Sequence, residues 1–326
     1  MNDELIPFQK ILDTLLDEGK DIPKRYLSEF SDIEPASLQS LLETWPRIGL
    51  NRKLLLLDQL NVLANEDTLV SFDDIGRALL TDEDPQVRIH AMRLLVECED
   101  HRLVPIYIDL LTNNEIVAVR AEAASMLGIF VQLGEFGDIP EDVHHRIEEV
   151  LLEVLNGEDE SPVRRHSLEA LGFSSRVEVP VLIESSYNRQ DPDWKASAIF
   201  AMGRSNDERW TDHVLHMIVS DDSSIRLAAV QAAGELALPL ARPLLINLLE
   251  EETDDVIAGA AIWSLSQIGG EDARLYIQNL LDIVEDDDQA AFLEEALDNL
   301  AFTEDRSIFD LLAFDADEID ELDLEE

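Results

Sequence analysis

The amino-acid sequence predicts an all-α fold, a right-handed α-solenoid of about eight helix pairs. From about residue 71 onward, an apolar stretch of helical period alternates with a second stretch rich in Ala and Leu. Short acidic turns separate the two stretches, and the pattern returns every 31 to 32 residues. Such an array grows by stacking, because each helix pair buries its apolar side against its neighbours.

A basic residue near the start of each second helix marks the repeat. The marker positions are Arg88, Arg120, Arg164, Lys195 and Arg226, with Ala258 in the equivalent place of the last clear copy. Successive markers are 32, 44, 31, 31 and 32 residues apart. The one long step predicts an inserted loop near residues 134–144, where two Gly and one Pro occur.

Small residues recur in register with the markers. Three residues after each marker stand Ala91, Ala123, Ser167, Ala198, Ala229 and Ala261. Eight residues after four of the markers stand Gly128, Gly172, Gly203 and Gly234. A glycine inside a helix costs about 1 kcal/mol relative to alanine, so we expect a packing or helix-ending role for them. Small side chains at both positions let helices approach closely.

This combination resembles the HEAT repeat, and specifically the short bacterial HEAT-like repeats named after phycobilisome lyases. The resemblance implies that an aspartate of the turn and the marker base form a ladder that ties neighbouring repeats together. It therefore implies a structural role for eight residues: Asp84, Arg88, Arg120, Arg164, Asp191, Lys195, Asp222 and Arg226. An acid ahead of a helix can also cap its free N–H groups.

The two ends of the chain depart from the pattern. We expect residues 1–35 to form a packing helix and connector, residues 36–302 the repeat array, and residues 303–326 an acidic tail. The outermost pairs lack the complete Asp–Arg element and are interpreted as capping repeats. Within the tail, residues 308–314 are predicted to pack on the last repeat. The remainder is predicted to be free, either as a partner-binding segment or as a solubilising end.

The charge balance narrows the choice of partners. Asp and Glu total 71 against 24 for Lys and Arg, which gives a net charge of −47. Such a field repels nucleic-acid phosphates and anionic lipid and attracts cationic groups. We therefore expect a protein or peptide partner with a basic rim, no nucleic acid and no membrane. An acidic N-terminus, a single cysteine at Cys98 and no long apolar run predict a cytoplasmic protein.

Motifs of catalysis and cofactor binding are missing from the sequence. It contains no G-x-G-x-x-G, P-loop, G-x-S-x-G or H-E-x-x-H pattern. His213 and His216 are three residues apart without an identifiable third ligand, and the adjacent His144 and His145 point in different directions on a helix. We therefore predict no catalytic residue, no cofactor and no metal site.

Positions 2, 5 and 9 after each marker fall away from the buried stripe of the second helix. In a HEAT-like array these helices line the concave face, so the side chains there are candidates for a binding groove. The predicted partner-binding residues are Phe173, Phe200, Trp263, Ile129, His166, Gln231 and Gln267. Aromatic residues are enriched at binding hot spots. The alternative is that the aromatic residues fill gaps between repeats.

The predicted function is a non-enzymatic scaffold or adaptor that binds a protein or peptide in the groove. One alternative is an enzyme or enzyme accessory with related repeats, a bilin lyase or a deoxyhypusine hydroxylase-like oxidoreductase. The hydroxylases bind di-iron through His-Glu dipeptides, which this sequence lacks, and no residue pattern identifies a chromophore pocket. A further alternative is an acidic inhibitor of a nucleic-acid-binding protein, whose binding would weaken steeply with salt.

Overall fold

The computed structural model describes the backbone of residues 6–322 and the side chains of residues 6–304. Within those ranges the chain consists of α-helices, short 3₁₀ helices and connecting turns, and contains no β-strand. It divides into two compact units, Met1–Ala170 and Leu171–Glu326, here called unit 1 and unit 2. The predicted all-α class is confirmed.

Unit 1 contains ten α-helices in the part of the chain that is described. Their bounds are α1 Phe8–Leu15, α2 Lys24–Leu27, α3 Pro35–Thr44, α4 Leu50–Glu66, α5 Asp73–Leu79, α6 Pro85–Arg93, α7 Val104–Asn113, α8 Val117–Phe136, α9 Glu141–Asn156 and α10 Ser161–Leu171. The last of them ends at the boundary between the units. Short 3₁₀ helices at Ser28–Phe30, Trp45–Arg47 and His101–Leu103 join some of these helices.

Unit 2 contains eight further α-helices over the described residues. Their bounds are α11 Val179–Tyr187, α12 Pro192–Arg204, α13 Thr211–Met217, α14 Ser223–Glu235, α15 Arg242–Glu251, α16 Asp255–Ile268, α17 Glu271–Ile283 and α18 Asp287–Leu322. The connectors include 3₁₀ helices at Glu208–Trp210 and Pro239–Ala241. The part of the predicted tail from residue 305 onward lies outside the described side chains, so the packing predicted for residues 308–314 stays a prediction.

From α3 to α18 the helices follow one another as eight pairs, in agreement with the predicted number. Within each unit, consecutive second helices contact one another. In unit 1 these contacts are α4 with α6 and α6 with α8, and in unit 2 they are α12 with α14, α14 with α16 and α16 with α18. The contacts between consecutive second helices are those of an α-solenoid, the predicted fold class.

Four of the second helices begin directly after an aspartate that caps them. The carboxylates of Asp84, Asp191, Asp222 and Asp254 each accept a hydrogen bond from the backbone N–H of the second helical residue, at 2.8 to 3.0 Å. These N–H groups have no partner within the helix, so an aspartate here stabilises the helix start by about 1 kcal/mol. In these four helices, the acidic turn in the sequence therefore marks the residue at which the second helix begins.

The small residues that recur three positions after each marker are all fully buried, at 0% exposure. The glycines eight positions after the marker allow still closer packing in unit 2. A Cβ on Gly172 would lie 2.9 Å from Ala201 Cα, and one on Gly203 would lie 2.7 Å from Ala232 Cα. Contacts this short with a backbone atom do not occur, so consecutive second helices pack at a distance that only glycine permits.

The long step in the repeat adds helix rather than a loop of the predicted length. Helix α8 has 20 residues and α9 has 16, whereas α12 and α14 have 13 each. Only residues 137–140 connect α8 to α9, so most of the range 134–144 is helical. Gly134 stays inside α8 although glycine has a low helix propensity, and the imidazole of His144 on α9 lies against it.

Helix α8 is long and apolar enough to cross a membrane by length and composition, although the sequence analysis identifies no such run. Half of its most apolar window is buried inside the protein. Ala121, Ala123, Leu127 and Phe130 are among its buried residues. Packing within unit 1 accounts for this apolar character.

Candidate partner-binding face

The capping aspartates and the marker bases make contacts that differ from those of the ladder that the resemblance implies. Asp84, Asp191 and Asp222 cap helices. Two of the bases reach an acid in the turn of the next repeat instead. Arg120 pairs with Asp159 at 2.7 Å and with Glu160, and Arg226 pairs with Glu252 at 2.8 Å. Salt bridges between repeats therefore exist. The acid that pairs with each of these two bases lies in the turn of the following repeat, and not in the turn directly before the base.

The remaining bases of the predicted ladder bind elements of their own repeat. Arg88 donates to the carbonyl oxygen of Asp82 at 2.6 Å, and Arg164 donates to that of Leu155 at 2.9 Å. The Lys195 ammonium lies 5.4 Å from the centre of the Tyr187 ring. These bases close the turn between the two helices of a pair.

Replacing Arg226 with Ala is expected to lower the free energy of unfolding by about 1 to 3 kcal/mol, because a charged donor to two partly buried oxygens is lost. One is Glu252 Oε2 and the other is the carbonyl oxygen of Ser220, at 2.7 Å. The hydrogen bond from Arg226 is the main cause of the lowered pKa of Glu252. The pair therefore contributes stability above the ordinary pKa of Glu252, and this part is lost as acid protonates the carboxylate.

Urea unfolding at neutral and acid pH tests this prediction, with Arg209→Ala as the control. Arg209 forms a pair with Asp207 two residues away, and its side chain is 56% exposed. An exposed local pair contributes little, so the control variant is expected to keep nearly all of its stability. Equal stability of the Arg226→Ala variant and the wild-type protein would refute a structural role for Arg226.

On unit 1 the predicted groove positions link neighbouring second helices through polar contacts. Arg93 on α6 pairs with Glu122 on α8 at 3.1 Å. Ser125 Oγ and His166 Nδ1 lie 2.7 Å apart, between α8 and α10. Ile129 is half-buried. The His166 imidazole, predicted to bind a partner, is therefore engaged within the protein on one side.

Five of the predicted partner-binding residues lie on unit 2. Phe173, Phe200, Gln231, Trp263 and Gln267, here called the unit 2 face, are all half-buried. Where unit 1 has Glu122 and His166 two residues after the marker, unit 2 has Ala228 and Ala260. Ala228 is buried and Ala260 is half-buried, so these two positions add little side chain to the face.

A pocket of about 400 Å³ lies on the unit 2 face, between α14, α16 and α18. Gln231, Trp263 and Gln267, all predicted to bind a partner, line it together with Glu235 and Phe292. The wall of the pocket combines an indole ring, two amides and a carboxylate. Such a pocket can hold an apolar side chain while the polar groups at its edge bind the neighbouring backbone or a cationic group.

Arg204 joins the two phenylalanines of the unit 2 face. Its guanidinium carbon lies 4.7 Å from the ring centre of Phe173 and 4.3 Å from that of Phe200. A guanidinium at this distance is attracted to the π face of a ring. Phe173 follows the end of α10 and Arg204 is the last residue of α12, so both partners of this contact lie in unit 2.

Glu235 lies beside this cluster and was not among the predicted site residues. A Cβ on Gly203 would lie 2.7 Å from its Oε2 atom, so the carboxylate rests against the α12 backbone although the side chain as a whole is exposed. Burial of the carboxylate raises the pKa of Glu235, and the nearby charge of Arg204 opposes the increase. The group places negative charge at the mouth of the pocket.

Arg204 and Glu235, which the sequence analysis does not list as site residues, share a register with the predicted residue Gln267. Arg204, Glu235 and Gln267 each stand nine residues after a marker and lie over the glycine of the preceding repeat. Those glycines are Gly172, Gly203 and Gly234. The repeated glycine was the available signal for this arrangement, whereas Phe292 on α18 lies outside the clear repeats and gave no such signal.

Several solved structures are similar to this chain at low sequence identity and with TM-scores below 0.5. The Escherichia coli protein YibA is 15% identical, with a TM-score of 0.40 over 86% of this chain and 98% of its own. Human deoxyhypusine hydroxylase in complex with glycerol is 16% identical, with a TM-score of 0.37 over 90% and 96%. The complex of CpcE and CpcF of phycocyanin lyase from Nostoc sp. PCC7120 is 18% identical, with a TM-score of 0.43 over 70% and 94%.

No curated protein sequence matches the chain significantly. The family model described as HEAT repeats, in contrast, matches residues 73–172 and residues 179–266, which together are more than half of the chain. Both matched ranges consist of the helix pairs described above, and they contain every marker position. By repeat length, helix pairing and sequence, this chain belongs to the HEAT-repeat family.

Proposed function

We propose that this protein is a non-enzymatic scaffold that binds a protein or peptide on the unit 2 face. The observation that supports the proposal is the pocket beside Trp263, which three side chains predicted to bind a partner line together. A structural repeat does not need a large aromatic group at a half-exposed position. Aromatic and arginine side chains in such positions are common among interface hot spots.

The chemistry of the face indicates the chemistry of the partner. The pocket has apolar walls at Val256, Ala260 and Trp263, and carboxylates at Glu235 and Asp255. We expect a partner segment in which an apolar side chain stands next to Lys or Arg. The apolar side chain would enter the pocket, and the basic side chain would lie beside the carboxylates. The net charge of −47 favours the approach of such a basic segment and disfavours nucleic acid and anionic membranes. We further propose that the protein acts in the cytoplasm.

Affinity purification from the cells that produce the protein tests the proposal, using the wild-type chain and the Trp263→Ala variant in parallel. We expect the wild-type chain to retain a partner that the variant loses, because removal of the indole takes away one wall of the pocket. Direct titration of the identified partner should then show weaker binding to the variant by roughly 1 to 3 kcal/mol. Leu275→Ala, at an exposed apolar residue on α17 outside the pocket, serves as the control.

Salt dependence separates the proposal from an acidic inhibitor of a nucleic-acid-binding protein. A partner held in an apolar pocket should remain bound at high ionic strength, since salt screens exposed charges and leaves apolar contacts intact. The pocket would not be the binding site if the wild-type chain and the Trp263→Ala variant retained the same partner and moderate salt released it from both.

A further inference from the structure

The extended ends of α8 and α9 in unit 1 bring together three side chains that the repeat itself does not require. Glu135 lies in the last turn of α8, and His144 and Glu148 lie four residues apart on α9. Their ligand atoms all lie within 4.8 Å of one another. Sequence analysis predicted no metal site here, because the residues come from two different helices.

The spacing of these atoms suits a shared ion better than direct hydrogen bonds. His144 Nε2 lies 3.8 Å from Glu135 Oε1 and 3.8 Å from Glu148 Oε1. Nitrogen–oxygen hydrogen bonds are normally no longer than about 3.2 Å. Ligands that each lie about 2.0 to 2.2 Å from one tetrahedral zinc ion are roughly 3.3 Å apart, so small side-chain movements would bring the three atoms into coordination.

Burial makes the arrangement costly without an ion. His144 is 9% exposed and Glu148 is 2% exposed. The Nε2 atom of His144 is buried and has no hydrogen-bond partner, and it is directed between the two carboxylates. A buried polar atom left without a partner typically costs about 1 to 3 kcal/mol. A bound cation would provide this nitrogen with a partner, and both carboxylates lie close enough to share the ion.

Two glycines build the space for this cluster. A Cβ on Gly134 would lie 2.8 Å from the Cβ of His144 and closer still to its ring, so the imidazole fits only against a glycine. Gly137 ends α8 with a left-handed φ of 79°, and its N–H donates to the carbonyl oxygen of Gly134 at 3.0 Å. This turn directs the chain back into α9 and places His144 against the last turn of α8.

We propose that Glu135, His144 and Glu148 bind one divalent transition-metal ion, with Zn²⁺ as the ion that fits the ligands. Zn²⁺ accepts imidazole nitrogen together with carboxylate oxygen, whereas Mg²⁺ and Ca²⁺ prefer oxygen ligands alone. Three protein ligands leave a coordination position for water or another ligand. The site lies in unit 1 and the pocket in unit 2, so it does not depend on the proposed function.

Calorimetric titration of Zn²⁺ into the full-length, metal-stripped protein tests the inference. Excess Mg²⁺ in the buffer occupies the weak cation sites of the acidic surface. We expect one tight Zn²⁺ site per chain and a rise in the melting temperature on binding. The affinity should fall by roughly tenfold or more in His144→Ala and in Glu148→Gln, and Co²⁺ in the same site should give the visible absorption of a tetrahedral complex.

His145→Ala is the matched control, since His145 is the exposed neighbour of His144 on the same helix. It should bind Zn²⁺ as the wild-type chain does. Gly134→Ala keeps all three ligands but displaces the imidazole, and should also lose the tight site. Circular dichroism establishes whether each variant is folded. If a variant is unfolded, Glu135→Gln is used in its place, because Glu135 is the most exposed of the three ligands.

Three results would overturn the inference. The first is no one-to-one binding of Zn²⁺ by the wild-type chain, which would leave the three side chains as a structural contact between α8 and α9. The second is unchanged affinity in folded His144→Ala, Glu148→Gln and Glu135→Gln variants. The third is equal loss of affinity in His145→Ala, which would place the ion elsewhere on the acidic surface.

Discussion

Replacing Gly203 with Ala is expected to lower the free energy of unfolding by about 1 to 3 kcal/mol, the usual cost of overpacking a tight contact. The new methyl group would lie 2.7 Å from Ala232 Cα and 3.0 Å from Ala232 Cβ. These atoms belong to the adjacent helix α14 and cannot rotate away, so α12 and α14 must move apart. At an ordinary helical position the same substitution stabilises a helix by about 0.5 to 1 kcal/mol, so the expected sign is reversed.

Gly259→Ala supplies the matched control for this prediction. Gly259 lies within α16, and a Cβ there would meet no atom within 4 Å. We therefore expect Gly259→Ala to raise the free energy of unfolding by about 0.5 to 1 kcal/mol. Urea unfolding of both variants measures the two effects. Stabilisation in both would show that the glycine register has no packing role.

Replacing Phe200 or Trp263 with Ala is expected to cost less stability than replacing a buried aromatic residue in the same unit. Both side chains are half-buried, whereas Trp210 is 3% exposed. Truncation of a fully buried Phe or Trp typically costs about 3 to 5 kcal/mol, and we expect the two face variants to lose less than about 2 kcal/mol. Thermal melting of Phe200→Ala, Trp263→Ala and Trp210→Ala makes the comparison without a partner.

Once a partner is identified, the same two face variants should bind it more weakly by roughly 1 to 3 kcal/mol while keeping their helicity. Melting losses as large as that of Trp210→Ala would mean that the aromatic groups support the packing of the repeats. The acidic tail would then be the better candidate for a binding segment.

The repeat period was sufficient to predict the helix pairs, because similar patterns of neighbouring residues recur in successive pairs. The apolar period defines the helices, and an acid such as Asp222 defines where a second helix begins. The long step was interpreted incorrectly because its residues include Gly134, Gly137 and Pro140, which are typical of loops. Packing of α8 in unit 1 keeps Gly134 inside a helix.

The candidate binding face was predictable in part. The helical register places Phe200, Gln231 and Trp263 away from the buried stripe, and all three are half-buried in the structure. The register of Arg204 and Glu235 was visible in the sequence. The contact of Arg204 with two rings and the distance of the Glu235 carboxylate from the α12 backbone were not, because both depend on the spacing of neighbouring helices. Whether the face binds a partner stays a prediction.

The sequence by itself determined the fold class, the repeat length, the start of four second helices and the family, since all of these depend on residues close together in the chain. Only the tertiary structure decided which acids pair with Arg120 and Arg226, where the unit 2 pocket lies, and that Glu135 meets His144 and Glu148. Each of these depends on contacts between different helices. Such contacts are set by the packing distances that small residues such as Gly134 and Gly203 permit, which a periodic pattern does not specify.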